Sequence, residues 1–177
     1  MTQYYGVLAE FDDPAALYHA CEQVRDEGFQ NWDAHTPFPV HGLEEAMGVP
    51  RSKVPWISLC LALLGGTIPA FIGQSWVAVE ASRQIISGKP LLSWQAFIPV
   101  TFEVSVLMGA VGALVGMLFI NRLPQLYHSL FRSERFERST DDKFFISIEA
   151  RDPKFDAEGT AKFLEGIGSK HVELVED

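Results

Sequence analysis

The sequence predicts an α+β membrane protein in which a small β-α-β-β-α-β domain is split by an inserted two-helix hairpin. Three observations predict it. The flanks are acidic, the middle is apolar and nearly uncharged, and each flank repeats the order strand, helix, strand.

The charge distribution separates these parts. Residues 54–120 contain two acids, Glu80 and Glu103, and two bases, Arg83 and Lys89. Residues 1–53 hold nine acids against three bases, and residues 122–177 hold twelve against nine, so the flanks carry the whole net charge of -9. A mean hydropathy of +0.08 conceals this division. Acidic flanks without a basic stripe argue against nucleic-acid binding, which needs Lys and Arg to neutralise phosphates.

The chain opens "MTQYYGVLAEF", with no basic start, long apolar run or small-residue cleavage site, so this segment reads as folded domain rather than signal peptide or anchor. Within 1–35, "YYGVLAEF" (4–11) is a strand by its β-branched and aromatic content. Asp13-Pro14 then supplies a cap and a first-turn proline, and Leu17, Cys21 and Val24 form a helical stripe ended by Gly28. "FQNWDAH" (29–35) is the second strand. A stiff connector with four prolines, 36–55, carries a short amphipathic piece from Gly42 to Met47.

Residues 56–79 run 24 positions without a formal charge. About 20 helical residues cross a hydrocarbon core ~30 Å thick, so this run spans with some tilt, and Pro69 marks a kink. The loop 80–96 has a Trp near each end, Trp76 and Trp94, suited to interfacial anchoring. A second run of equal length, 97–120, contains one charge, Glu103. Two spans put both termini on one side, and Arg51, Lys53, Arg122, Arg132 and Arg135 against Arg83 and Lys89 favour the cytoplasm.

After a linker, 121–142, the β-α-β order returns in 143–177. "KFFISIEA" (143–150) is a strand, Asp156 caps a short helix bearing Ala161 and Leu164, Gly166 and Gly168 end it, and "HVELV" (171–175) is the last strand. Neither half is large enough to bury a core alone. Joined, they predict a ferredoxin-like sandwich with an antiparallel sheet and both helices on one face.

Candidate chemistry is sparse. Two cysteines, Cys21 and Cys60, form no CxxC or CxxCH pattern, and neither span has a histidine to ligate haem. His35 and His41 lie six apart without a third ligand at suitable spacing, so they read as structural. No GxSxG, P-loop, HExxH or dinucleotide fingerprint occurs. The expected cofactor complement is none, and no residues present themselves for independent catalysis.

The spans carry a packing signal instead. Ser105, Gly109, Gly112, Ala113 and Gly116 share one side of the second helix, and Ala62, Gly66 and Ala70 make a matching stripe on the first. Small residues let helix backbones approach closely in lipid. Two uses are open: contact between the two helices, or docking onto another subunit. At 100° per residue Glu103 points away from the stripe. An ionised carboxylate facing lipid costs at least a few kcal/mol. Three roles follow for Glu103: a polar contact with a protein neighbour, a proton relay, or exposure near the interface.

The connector "TPFPVHGLEEAMGVPRSKVPW" (36–56), the split β-α-β order, the two spans and "FIPVTFE" opening the second together resemble the ActD family, the small two-helix membrane subunit of bacterial alternative complex III. The resemblance covers nearly the whole chain and rests most on Pro37, Phe38, Pro39, Val40, His41 and Gly42 of the connector and on Glu103. It implies a cofactor-free, non-catalytic subunit of a quinol-oxidising complex in the bacterial inner membrane, with its soluble domain in the cytoplasm. The implied partners are polysulfide-reductase-type quinol-binding subunits, a multihaem cytochrome and an iron–sulfur subunit. The connector residues become candidates for partner docking. A membrane-tethered ligand sensor is the competing expectation.

Overall fold

A computed structural model describes residues 4–83, 85 and 87–176. Two compact units result, one from residues 1–50 with 126–177 and one from residues 51–125.

In the first unit, strands β1 (Tyr4–Phe11), β2 (Trp32–His35), β3 (Phe144–Glu149) and β4 (His171–Glu176) form one antiparallel sheet in the order β2-β3-β1-β4. The pairing runs from Gly6↔Glu149 to Phe11↔Phe144 on one side of β1, and Glu10 pairs with His171 on the other. Central β1 thus has both its neighbours from the far end of the chain.

Helix α1 (Pro14–Glu27) begins where Asp13 accepts a hydrogen bond from the Ala16 N–H and Pro14 supplies the first turn. It stops at Gly28, whose φ of 90° suits a residue without Cβ. A short α2 (Leu43–Met47) follows, and α3 (Ala157–Gly166) is capped by Asp156, which accepts from the Gly159 N–H.

Alternation along the strands divides the domain into two cores. Val7, Ala9, Phe11, Phe144, Ile146 and Ile148 face Leu17, Ala20, Cys21 and Val24 of α1, Leu164 of α3 and Ala46 of α2. Full burial of each large apolar side chain stabilises by roughly 1.5–3 kcal/mol. On the opposite face Leu8, Phe145 and Val175 pack with Leu130 and Phe136.

Those last two residues come from the segment expected as a linker, 121–142. Part of it forms 3-10 turns, Ser129–Arg132 and Glu134–Thr140, that roof the second face of the sheet. Polar contacts fix the roof. Arg135 pairs with buried Glu10 at 3.0 Å, Ser133 donates to Glu173, and the Phe136 ring meets the rings of Phe145 and His35 edge-on. The Tyr5 hydroxyl bonds His128 Nε2 at 3.3 Å, and burial with the Glu149 charge pushes the Tyr5 pKa up to about 12.

The second unit contains two apolar helices, Val54–Ala81 and Trp94–Ile120, both long enough to cross a membrane. The first extends two residues beyond the uncharged run at each end, and the second starts three residues early in a 3-10 turn at Trp94–Phe97. The first is not regular. π-helical turns occupy Leu61–Thr67 and Val77–Ala81. The earlier one ends two residues before Pro69, whose missing N–H and ring exclude a regular i to i−4 bond there.

Candidate functional site

The interface between the two membrane helices is built from the small residues. A Cβ on Gly66 would lie 2.7 Å from the Ser105 Cα, and one on Gly112 would lie 3.0 Å from the Leu61 Cβ and 3.1 Å from the Ser58 Cα. Gly109 faces Ala62 and Ser58, and Gly116 rests against Ile57. Ala70 contributes through its backbone, its carbonyl accepting a hydrogen bond from Gln74 Nε2 at 3.1 Å.

Hydroxyl and amide groups bridge the same seam. Ser58 Oγ donates to the Gly109 carbonyl at 2.7 Å, and Thr67 Oγ1 and Ser105 Oγ share a hydrogen bond of 2.7 Å. Gln74 Nε2 also donates to Thr101 Oγ1 at 3.1 Å and to the Phe97 carbonyl at 3.3 Å. Each bridge satisfies a polar group where hydrocarbon offers no partner. Sequence reasoning found the glycines and passed over Ser58, Thr67 and Gln74. Their signal was available: Ser58 is four residues before Ala62 and Gln74 four after Ala70, on the stripe already drawn.

Glu103 stands apart from this seam. Its side chain is exposed on the surface of the hairpin and makes no hydrogen bond or ion pair with any described residue. Around it on the helix surface are exposed Val100, Val106 and Leu107.

In the first unit the connector folds back onto the domain. The exposed Phe38 ring meets Phe144 edge-on at 5.5 Å, while Val40, Leu43 and Met47 pack partly against the first core. Gly42 adopts φ 79° and leads into α2, and Arg25 Nη1 holds the end of α2 by donating to the Ala46 carbonyl at 2.9 Å. Pro39, His41 and Gly42 line an open cleft of about 680 Å³ beside Tyr18, while Pro37 is outside it and half-buried. His35 and His41 do not converge: His35 Nε2 bonds Ser147 Oγ at 3.0 Å, whereas His41 is exposed. Among the described residues no group of three or more His, Cys, Asp or Glu side chains could hold a metal ion.

The arrangement is that of a self-paired membrane hairpin carried by a split domain. A family of sequences described as alternative complex III, ActD subunit, matches residues 5–174. The chain belongs to the ActD family. A comparison with curated protein sequences finds no match. Membership in ActD makes the chain a subunit of alternative complex III, which places it in electron transport in the respiratory chain. The two apolar helices fit the membrane setting of an ActD subunit.

Proposed function

We propose that the chain is a cofactor-free, non-catalytic accessory subunit that supports assembly of the quinol-binding membrane subunits of alternative complex III. The observation that carries this reading is the use of the small-residue stripe. Gly66, Gly109, Gly112 and Gly116 are spent inside the hairpin, so the surface left for neighbours is apolar side chains and Glu103. Such a hairpin suits wedging beside larger membrane proteins. The wider partner set is the multihaem cytochrome and the iron–sulfur subunit.

The soluble domain reads as a ferredoxin-like sandwich split by the hairpin. The β-α-β-β-α-β order and the strand order β2-β3-β1-β4 support this. One sheet shared by both flanks supports a placement of both on the same side of the membrane, and the cationic residues beside the spans favour the cytoplasmic side of a bacterial inner membrane.

Deleting the chain tests the assembly role. Membranes lacking it should yield less intact complex on native gels, with the haem-bearing subunit still synthesised; an undiminished yield of full-sized complex refutes the role. The rival reading as a ligand sensor draws on the cleft beside Tyr18. A saturable, ligand-induced rise in the melting temperature of the purified complex that is lost on filling that cleft, as in Gly42→Trp, would favour it.

A further inference from the structure

Within the second apolar run, one polar side chain takes no part in the seam. Between residues 97 and 120 the polar side chains are Thr101, Glu103 and Ser105. Thr101 accepts from Gln74, and Ser105 pairs with Thr67 and donates to the Thr101 carbonyl at 2.5 Å, so both belong to the seam with the first helix. Glu103 points away from that seam, with exposed Val100, Val106 and Leu107 around it.

Among the described residues no base of the hairpin pairs with it. Arg83 is paired with Glu80 at 3.0 Å, and Lys89 lies in the connection beyond Trp94. At 1.5 Å per residue Glu103 sits about 13 Å along the helix from Trp94 and about 26 Å from Ile120. That depth is beyond the reach of a short side chain to either surface. An ionisable side chain within a span faces protein rather than lipid as a rule, and pairs there.

We propose that Glu103 is the grip of this hairpin on its neighbour: a transmembrane helix of another subunit of the complex presents an arginine or lysine side chain to this carboxylate. The proposal rests on the reading of the chain as an accessory membrane subunit. Charge complementarity selects a cation. A hydroxyl or amide would bond one oxygen and leave the negative charge in place, whereas a guanidinium covers both oxygens and neutralises it. The apolar side chains around Glu103 then act as a rim that keeps lipid headgroups and water from the pair. Removing one member strands the other charge in a dry contact, so the pair is sensitive to single substitutions.

The test uses the intact complex in its native membrane. A benzophenone amino acid placed at Leu107, four residues along the same face, is photo-activated and the attached peptide is sequenced. The expected product is a transmembrane segment of another subunit with Arg or Lys within one helical turn of the attachment point. Attachment to lipid alone, or to a segment without a basic residue, overturns the proposal.

In parallel, Glu103→Leu and Glu103→Lys are compared with wild type. Both should insert, since leucine favours the bilayer and lysine exchanges one charge for another of similar insertion cost, but the fraction of this subunit retained on the detergent-purified complex should at least halve, and fall further for lysine. Retention of Glu103→Leu at the wild-type ratio sinks the proposal. Deletion of the whole chain separates the two levels. If deletion leaves assembly intact, the accessory role fails; if deletion impairs assembly while Glu103→Leu does not, only the Glu103 grip fails.

Discussion

The Ser58 hydroxyl donates to the Gly109 backbone carbonyl at 2.7 Å, one membrane helix to the other. Gly109 lies at a close approach of the two helices, where even a Cβ would already touch Ala62 Cβ at 3.4 Å and Ser58 Oγ at 3.6 Å. A Ser58→Ala substitution should weaken the hairpin by about 0.6 kcal/mol, the average for interhelical hydrogen bonds in membranes, and by no more than about 1.7 kcal/mol. Unfolding of the purified subunit in mixed detergent micles of increasing SDS fraction would read this as a shift to lower midpoint.

Gly66 and Gly73 lie on the same helix and should respond oppositely to alanine. A Cβ at Gly66 would meet the Ser105 Cα at 2.7 Å, while one at Gly73 would meet nothing within 4 Å. Overpacking against backbone costs typically about 1–3 kcal/mol. Gly66→Ala should therefore lower the midpoint in the same SDS titration, and Gly73→Ala should leave it unchanged or raise it through helix propensity.

Asp152 is nearly buried and accepts from the Gln30, Asn31 and Lys154 backbone N–H groups at 2.6, 2.6 and 2.9 Å. Burial would raise its pKa, but these donors and the Lys154 charge outweigh it and hold the carboxyl below its ordinary value of 3.8. The folded state therefore binds its proton later than the unfolded chain as pH falls. Its stabilisation is present above 3.8 and is lost as pH drops through the folded-state value. Asp152→Ala should cost about 2–4 kcal/mol at neutral pH, from stranded N–H groups, and flatten this acid limb in thermal unfolding.

His35 supplies a second pH dependence, nearer neutrality. Burial lowers its pKa below the ordinary 6.5, the Asp33 charge opposes this, and His128 lowers it further. Here too the folded state takes up its proton later, so stability is full above pH 6.5 and declines as pH falls toward the folded-state value. Replacement by glutamine keeps a polar partner for Ser147 and cannot titrate. His35→Gln should therefore remove part of the decline in melting temperature between neutral and mildly acid pH, and an identical decline would contradict the assignment.

The caps and stripes that were legible in the sequence are local. Asp13-Pro14, Gly28 and the Leu17, Cys21, Val24 stripe define α1 within a few positions of one another, and the uncharged runs needed only length and composition. The roof formed by Leu130 and Phe136 was not legible. Its 3-10 turns have neither the 3.6-residue nor the two-residue period, and its apolar residues matter only once Leu8 and Phe145 present a second face. The π-helical turns at Leu61–Thr67 escaped for a related reason: composition reports a span, not its hydrogen-bond pattern. At the candidate site the orientation of Glu103 away from the glycines followed from helical geometry alone. The place of Ser58 and Gln74 on the stripe was within reach of a single-helix projection, but their partners, the Gly109 carbonyl and Thr101, needed the register between two helices.

Because β1 pairs with β3 and β4, the order of synthesis becomes part of the folding problem. Val7, Ala9 and Phe11 leave the ribosome roughly 130 residues before Phe144, which is on the order of ten seconds at typical elongation rates. During that wait the hairpin emerges and meets the translocation machinery, while the first strand has no sheet to join. A nascent chain that threads one helix without the other holds its two halves on opposite sides, and β1 then has neither β3 nor β4 to pair with. Closure of the interrupted domain is therefore incompatible with a half-inserted hairpin.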